Sequence, residues 1–298
     1  MSVKASVLLE YGKQRLEEAG IFHADYDSRV LFQWICHLSH MDLLMNPDLS
    51  IEEQDASCYK EYIEKRSCHE PLQYLMGECE FMGLTFLVNP DVLIPRQDTE
   101  TLVEGILERE RDRAGDCTLL DLCTGSGCIP ISISALWNQG TGRTTKNRKL
   151  LVEALDLSEK ALDVAKENAK RNQVSIHFFK SNMFERVEKK YDILVSNPPY
   201  IPSKEIDHLM EEVKDFEPRM ALDGEEDGLS FYRILASESG KYLNPGGRLY
   251  LEIGHDQGQT VPRLLHEAGF SNIEIKKDLA GLSRAVAAVF SPETNSFH

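Results

Sequence analysis

The sequence lacks several features that would assign it to a particular class. Its 298 residues include seven cysteines, an odd number at irregular spacing without a C-x-x-C pair, so neither a disulfide framework nor a zinc ribbon is indicated. No apolar run approaches the length of a membrane span. His37 and His40 lie three residues apart, but we interpret them as ordinary polar positions on a helical bundle and not as a metal site. We therefore expect reduced thiols, no bound metal, no membrane partner and a cytoplasmic protein.

Basic residues are also scarce. There are 33 lysines and arginines against 49 aspartates and glutamates, which gives a formal net charge of −16. Because such a charge repels polyphosphate, direct nucleic-acid binding over a broad surface is not expected. The segment 138–149 is polar and locally basic, but it has no aromatic side chain on which a base could stack. We predict that it is a solvated loop.

The pattern of apolar residues changes along the chain. Residues 3–70 show apolar side chains at helical spacing, whereas the apolar runs 81–88 and 92–94 flank a turn at 89–91 and predict a β-hairpin. After Gly115, strand-like runs alternate with helical patterns, which indicates a parallel α/β sheet. The predicted strands are 118–122, 150–155, 176–179, 193–195, 248–253 and 285–290. The predicted domains are a helical substrate-binding domain (1–78), a β-hairpin linker (79–97) and a catalytic domain (98–298).

A glycine-containing loop follows the first of these strands, at Asp121, Leu122, Cys123, Thr124, Gly125, Ser126 and Gly127. The two glycines let the backbone pass close to a ligand because no Cβ stands in the way. A dinucleotide fingerprint would carry a third glycine where this chain has Pro130. The loop therefore fits a cofactor without phosphate. The amino-acid end of S-adenosylmethionine would cross the glycines, and Asp121 would hold its cationic end.

The ends of the next two strands supply the rest of the predicted cofactor site. The strand at 150–155 ends in Asp156, at a position where an acidic side chain accepts hydrogen bonds from both ribose hydroxyls. The following strand ends near Asn182 and Met183. Their side chains would meet the adenine amine and cover the adenine ring, respectively. The alternative for Asp156 is a simple turn residue.

The tetrapeptide Asn197-Pro198-Pro199-Tyr200 directly follows another apolar strand. An amide or aniline-like nitrogen is a poor nucleophile because its lone pair is delocalised. The Asn197 side-chain oxygen and the Pro198 carbonyl can accept its two N–H bonds, and the two prolines fix the backbone that carries these acceptors. Tyr200 offers a face or an edge to the planar group. We predict a methyltransferase whose acceptor is such a nitrogen. It needs no general base before transfer, because the positive charge of the donor already activates the methyl group.

With both motifs placed, the chain resembles the PrmC/HemK family, the N5-glutamine methyltransferases of peptide chain release factors. The matching signatures lie at 70–77, 92–100, 121–127, 196–201, 217–222, 227–229, 245–247 and 251–254. The resemblance implies a class I, Rossmann-like methyltransferase sheet with a small all-α N-terminal domain and a β-hairpin linker. It also implies that the acceptor is the glutamine of the Gly-Gly-Gln motif of a release factor, so that methylation modulates translation termination.

The same resemblance implies roles for individual residues. Asn197 and Pro198 would hold the amide of that glutamine, with Tyr200 beside it, while 123–127, Asp156, Met183 and Asn197 would line the cofactor. Three positions depart from the family pattern: Gln97 replaces a usual proline, Cys123 a common glycine and Asn182 a usual aspartate. The Asn182 oxygen can still accept from the adenine amine but carries no charge, so we expect a modest loss of cofactor affinity at most.

Three other functions stay open on the sequence. An adenine methyltransferase of nucleic acid would need a flipped base and a basic groove, which the net charge of −16 disfavours. Methylation of a ribosomal-protein glutamine would use nearly the same motifs, and the N-terminal signatures favour release factors over it. A silent cofactor-binding module would be free to lose Asn197 or Asp156, and both are present. We expect a monomer whose helical N-terminal residues contact a release factor.

Overall fold

The computed structural model describes residues 2–46, 48–138 and 148–291. The chain divides into two compact units. The first comprises Met1–Glu78 together with Met210–Phe216, and the second comprises Cys79–Leu209 and Glu217–His298. Residues 139–147 of the predicted solvated loop lie outside the described residues. The three-part division into helical domain, linker and catalytic domain stays a prediction.

The first unit is mainly helical. Its elements before residue 78 are β1 (Val3–Lys4), α1 (Ala5–Glu18), α2 (Ala24–Cys36), α3 (His40–Met45), β2 (Ser50–Ile51), α4 (Glu53–Ser67) and α5 (Leu72–Met76). Gly12 allows α1 and α4 to pack closely, because a Cβ at this position would lie 1.9 Å from the Tyr59 hydroxyl. That hydroxyl is buried and forms a 2.7 Å hydrogen bond with Ser28 of α2. The three long helices therefore meet around Tyr59.

Ion pairs explain why a segment distant in sequence belongs to this unit. The buried guanidinium of Arg66 donates to Asp27 at 2.8 Å and to Glu212 at 2.7 Å. His69 Nε2 lies 2.7 Å from the carboxylate of Glu211. A cation that is buried in this way is stable only when paired. The two carboxylates of Met210–Phe216 are thus partners that the helical residues require.

The second unit holds the sheet. The remaining elements are β3 (Glu78–Phe81), β4 (Leu84–Leu87), α6 (Gln97–Arg109), β5 (Cys117–Leu122), α7 (Cys128–Leu136), β6 (Leu150–Asp156), α8 (Glu159–Arg171), β7 (His177–Lys180), β8 (Tyr191–Ser196), α9 (Ser203–Ile206), α10 (Glu211–Lys214, in the first unit), α11 (Arg219–Leu222), α12 (Ser230–Tyr242), β9 (Leu243–Glu252), α13 (Thr260–Glu267), β10 (Phe270–Lys277) and β11 (Ser283–Phe290). Among the described residues, no helix combines the length and apolar character needed to cross a bilayer.

Seven strands form one sheet in the order β10-β11-β9-β8-β5-β6-β7. Strands β9, β8, β5, β6 and β7 are parallel, and β11 is antiparallel to both of its neighbours. Because side chains alternate along a strand, Leu119 and Leu120 of β5 enter separate hydrophobic clusters. One cluster includes residues of α12 and α13, and the other includes residues of α6 and α7. The predicted α/β class, with a helical N-terminal region, is confirmed.

Two details differ from the sequence prediction. The hairpin consists of β3 and β4 and turns at Met82 and Gly83, both with positive φ, rather than at 89–91. Two consecutive left-handed residues give the tight turn whose twist matches paired strands. Strand β10 was not predicted, because its sequence FSNIEIKK is largely polar and its residues are mostly exposed or half-buried. It lies at an edge of the sheet, where burial demands little apolar character.

Candidate active site

The site lies at the point in the sheet where the strands that follow β5 in the chain change sides: β6 and β7 lie on one side of β5, and β8 and β9 lie on the other. Strand β5 pairs with β6 on one side and with β8 on the other, so the loops after β5 and β8 diverge and leave a crevice at their carboxyl ends. A cleft with about 970 Å³ of empty space opens there. Eight of the ten residues predicted to bind the cofactor line it, namely Cys123, Thr124, Gly125, Ser126, Asp156, Asn182, Met183 and Asn197, while Asp121 and Gly127 do not.

The loop from β5 to α7 depends on backbone conformations that favour glycine. Cys123, Gly125 and Gly127 have φ values of 61°, 54° and 79°. A Cβ on Gly127 would lie 2.9 Å from Ile131 and 3.1 Å from Ala165, so this glycine permits α7 to pack against α8. Cys123 adopts the same left-handed region at a position where the family commonly has glycine. Its thiol stays protonated, because burial raises the pKa of Cys123.

Asp156 connects two loops of the cleft. One carboxylate oxygen accepts the Gly125 N–H at 2.9 Å and the other accepts the Ser158 N–H at 2.9 Å. Burial raises the pKa of Asp156, and these backbone hydrogen bonds oppose the shift. The side chain lines the cleft, and its two oxygens together have more lone pairs than the backbone hydrogen bonds use. Asp156 is thus held rigidly with acceptor capacity toward the cleft.

Asp121 is completely buried beneath the glycine loop. Within the described residues, neither of its carboxylate oxygens has a partner at good hydrogen-bond geometry, although the Thr124 side chain approaches it. Burial raises the pKa of Asp121 well above its usual range, and the nearby Asp156 adds to the shift. The carboxyl does not line the cleft. Direct contact of Asp121 with a cofactor stays a prediction.

The loop after β7 closes another side of the cleft. Met183 is buried with its sulfur 3.8 Å from that of Cys123, and Leu157 presents a half-exposed apolar side chain to the cleft. The Asn182 amide donates through Nδ2 to Glu185 at 2.9 Å. Because the two ends of an amide point apart, the oxygen of Asn182 is left for other donors. This side of the cleft offers apolar faces and one polar acceptor.

The Asn-Pro-Pro-Tyr segment lies beside the glycine loop. Ser196, the last residue of β8, donates a buried 2.8 Å hydrogen bond to the Leu122 carbonyl at the end of β5. Asn197 and Pro199 line the cleft, whereas Pro198 is buried and Tyr200 is half-buried outside the lining. The structure therefore brings Asn197 to the predicted cofactor residues. Contact of Pro198 and Tyr200 with a substrate stays a prediction.

Two glycines hold the backbone of Tyr200. A Cβ on Gly228 would lie 2.3 Å from the Tyr200 carbonyl oxygen, and a Cβ on Gly224 would lie 2.8 Å from the Tyr200 backbone. Gln257 Nε2 donates to both the Tyr200 carbonyl (3.2 Å) and the Gly228 carbonyl (3.1 Å). These contacts give a physical reason for the signature at 227–229. A residue larger than glycine would displace the tetrapeptide.

Sequence reasoning missed two groups beside Asn197. The Asn197 amide donates through Nδ2 to the Thr99 hydroxyl over 3.5 Å. The carboxyl of Glu252, at the end of β9, is buried, and the side chains of both residues lower its pKa. Burial raises the pKa of Glu252 to about 7, although Thr99 and Arg284 act in the opposite direction. Both residues belong to signatures quoted from the sequence, at 92–100 and 251–254, but no role was assigned to them.

Arg96 was also missed as a cleft residue. Arg96 lines the cleft, and its guanidinium forms an ion pair with the buried carboxylate of Glu217. The residues that follow Glu217, including Pro218 and Met220, line the cleft as well. The signatures at 92–100 and 217–222 are therefore joined by a charge pair at the wall of the cleft.

Two protein-family models match the chain, one in its helical N-terminal region and the other in its α/β region. A model described as the PrmC N-terminal domain matches residues 7–77. A model described as the methyltransferase small domain matches residues 97–214. The second match includes the glycine loop, Asp156 and the Asn-Pro-Pro-Tyr segment.

Relatives of known name match over nearly the full chain. A release factor glutamine methyltransferase from Geobacter sulfurreducens is 35% identical over 94% of this chain and 94% of its own. One of the same name from Clostridium acetobutylicum is 40% identical over 88% of this chain and 90% of its own. Among solved structures, the hMettl16 catalytic domain in complex with an RNA hairpin has a TM-score of 0.55 and is 16% identical, covering 81% of this chain and 84% of that one. At this identity the structural likeness concerns the fold alone.

Proposed function

Because the chain belongs to the family of release factor glutamine methyltransferases, we propose that its cleft transfers a methyl group from S-adenosylmethionine to the side-chain nitrogen of the glutamine in the Gly-Gly-Gln motif of a release factor. The enzyme is a protein-(glutamine-N5) methyltransferase, and its substrate implies a cytoplasmic site of action. One observation carries the assignment of the reaction to this cleft: Asn197 shares it with the glycine loop and Asp156.

The chemistry of the cleft suits this cofactor. Gly125 presents backbone without a Cβ, and Asp156 presents a fixed carboxylate that two ribose hydroxyls can reach. The Asn182 oxygen can accept from the adenine amine, and Met183 and Leu157 offer apolar faces to the ring. The Asp156 carboxylate in the cleft favours a ligand that carries positive charge. When bound, S-adenosylmethionine supplies a methyl group on a sulfonium.

The protein would act mainly by orienting the acceptor. The Asn197 side-chain oxygen and the Pro198 carbonyl would accept the two N–H bonds of the glutamine amide. This arrangement fixes the nitrogen and directs its remaining electron density at the methyl group. The prolines at 198 and 199 restrict the backbone that carries the acceptors. Tyr200, held by Gly224, Gly228 and Gln257, would lie beside the planar amide.

The test is mass spectrometry of a purified release factor after incubation with this protein and S-adenosylmethionine. We expect one additional methyl group on the glutamine of the Gly-Gly-Gln motif and none on a release factor in which alanine replaces that glutamine. A ribosomal protein and an adenine-containing oligonucleotide serve as competing acceptors. An unmodified release factor together with a methylated competitor would overturn the assignment of the substrate.

A further inference from the structure

Glu252 is a buried carboxylic acid behind the proposed acceptor clamp. It is 1% exposed and stands at the end of β9, which is paired with β8, the strand that leads into Asn197. Its Oε2 atom has no hydrogen-bond partner among the described residues. Burying an ionisable group without full pairing is unfavourable. A site of this kind is expected where the group has a function other than stability.

The cation whose charge acts on Glu252, Arg284, is already engaged with other carboxylates. Arg284 lies 3.0 Å from Asp278 and 3.1 Å from Asp98, so its charge is shared with two other carboxylates. Ser196 of β8 pairs with Leu251 of β9, so Asn197 and Glu252 are the next residues at the ends of two neighbouring strands. The side chains of Thr99 and Asn197 both lower the pKa of Glu252. Thr99 in turn accepts from Asn197 Nδ2 over 3.5 Å. Glu252, Thr99 and Asn197 therefore form one cluster at the edge of the cleft.

We propose that Glu252 is a positioning residue that fixes the orientation of the Asn197 amide, with the NH₂ end toward Glu252 and Thr99 and the oxygen toward the acceptor. A carboxylate only accepts hydrogen bonds, so the amide end that faces it has to be the donor. The Asn197 oxygen is then left for the glutamine N–H. The inference rests on the proposed function, since it assumes that this oxygen receives the acceptor amide.

This arrangement makes the reaction depend on the ionisation of Glu252. A protonated carboxyl also donates, and an amide oxygen turned toward it would satisfy that proton while presenting NH₂ to the substrate. Because the pKa of Glu252 is raised to about 7, we expect kcat to fall as the pH decreases through this value and to level off above it. The charged or titratable groups that interact electrostatically with the carboxyl are Asp98, Arg284, Tyr200, Tyr232 and Cys128.

The first test replaces Glu252 with glutamine, which has the same shape but can present either a donor or an acceptor to Asn197. For Glu252→Gln we expect kcat to fall about 10- to 100-fold while the dissociation constant of S-adenosylmethionine changes less than about twofold. The decrease of kcat at acidic pH, expected near pH 7 in the original protein, should also disappear. The matched control is Glu110→Gln, at another fully buried carboxylate of the same unit that does not line the cleft. Its folded fraction should keep the pH profile of the original protein.

A second variant decides the question if Glu252→Gln does not fold. Thr99→Val preserves volume but removes a hydroxyl that lowers the pKa of Glu252. The decrease of kcat at acidic pH should move to higher pH, with kcat on the plateau reduced less than about tenfold. A decrease at unchanged pH in Thr99→Val, or a fully active Glu252→Gln enzyme, would overturn the positioning role. Failure of the original enzyme to methylate a release factor would refute the proposed function, and the two failures are thereby distinguished.

Discussion

Among single residues, Asn197 is the one whose substitution should reduce methyl transfer while leaving cofactor binding largely intact. It is one of many residues that line the cleft, but in the proposed reaction it supplies one of the two acceptors for the glutamine amide. We expect Asn197→Ala to lower kcat for release factor methylation at least about 10³-fold, because orientation of the nitrogen is lost. The dissociation constant of S-adenosylmethionine, measured by calorimetry, should change less than about fivefold, since the other contacts persist.

A matched substitution controls for loss of an asparagine elsewhere in the fold. Asn172 follows α8 and donates to the Thr85 carbonyl at 3.0 Å, outside the cleft. Asn172→Ala should therefore retain kcat even if it lowers stability. Methyl transfer by Asn197→Ala at a rate similar to that of Asn172→Ala would refute the amide clamp.

Individual residues differ in how far the sequence could assign them. Asp156 and Asn197 were predictable because each lies at the carboxyl end of a strand and carries a side chain suited to a polar ligand. Glu252 was not, because its significance depends on the packing of β9 against β8 and on burial, which no local pattern encodes. Gly127 was predicted to approach a ligand, yet its close neighbours are Ile131 and Ala165. The sequence alone does not say whether a glycine accommodates a ligand, a packed neighbour or a positive φ.

The junction of the glycine loop and α7 gives a prediction at the scale of one element. In Gly127→Ala the new Cβ would meet Ile131 and Ala165 at a φ of 79°. We expect a loss of about 2–4 kcal/mol in the free energy of unfolding, from overpacking added to backbone strain. Gly115 is the control, because its φ is 81° but no atom lies within 4 Å of its added Cβ.

Urea unfolding of both variants checks this expectation. Gly115→Ala isolates the backbone strain and should lose only about 1–2 kcal/mol. Equal losses in the two variants would show that α7 and α8 adjust without difficulty to a methyl group between them. The tight packing inferred at Gly127 would then be wrong.

Elements were predicted best where they are buried. The strands around β5 and β8 were predicted from the sequence because their side chains are apolar on both faces of the sheet. The edge strand β10 escaped notice, and the hairpin turn was placed at 89–91 because proline, asparagine and aspartate are frequent turn residues. The turn actually uses Met82, a residue with no preference for positive φ, and its position is set by the pairing of β3 with β4.

A charge cluster joins the end of α6 to β9. Glu110 is fully buried and forms ion pairs with Arg113 and Arg248, and it accepts from the Tyr250 hydroxyl at 2.8 Å. These partners lower the pKa of Glu110, and they outweigh the effect of burial. A carboxyl whose pKa is lowered on folding stabilises the protein above its unfolded pKa and loses this contribution as the pH falls through the folded value.

Glu110→Gln should therefore lower the free energy of unfolding by about 2–4 kcal/mol at neutral pH. The difference from the original protein should be constant at higher pH and shrink once the pH falls below about 4.5, the usual pKa of a glutamate. Urea titrations at several pH values measure both quantities. A difference that grew toward acid would contradict the assigned direction of the pKa shift.

At the scale of the whole molecule, the question is how the helical unit serves catalysis. Deleting residues 1–75 would be an ambiguous test, because Glu211 and Glu212 would lose their partners His69 and Arg66. Substitutions on the surface avoid this difficulty. Phe22 lies just before α2 and Tyr26 lies in its first turn, and the two side chains are 91% and 60% exposed. Exposed aromatic side chains are suited to burial by a protein partner.

The double variant Phe22→Ser/Tyr26→Ser tests whether the helical unit contacts the release factor. We expect the KM for the release factor to rise about 5- to 30-fold, the loss associated with one or two buried aromatic contacts, while kcat and cofactor affinity stay unchanged. Leu279→Ser is the control, because Leu279 is a fully exposed apolar residue of the other unit. The methylation rate is measured as a function of release factor concentration at saturating S-adenosylmethionine. An unchanged KM in the double variant would mean that this surface does not bind the substrate, whereas a fall in kcat alone would indicate that the helical unit instead affects the geometry of the cleft.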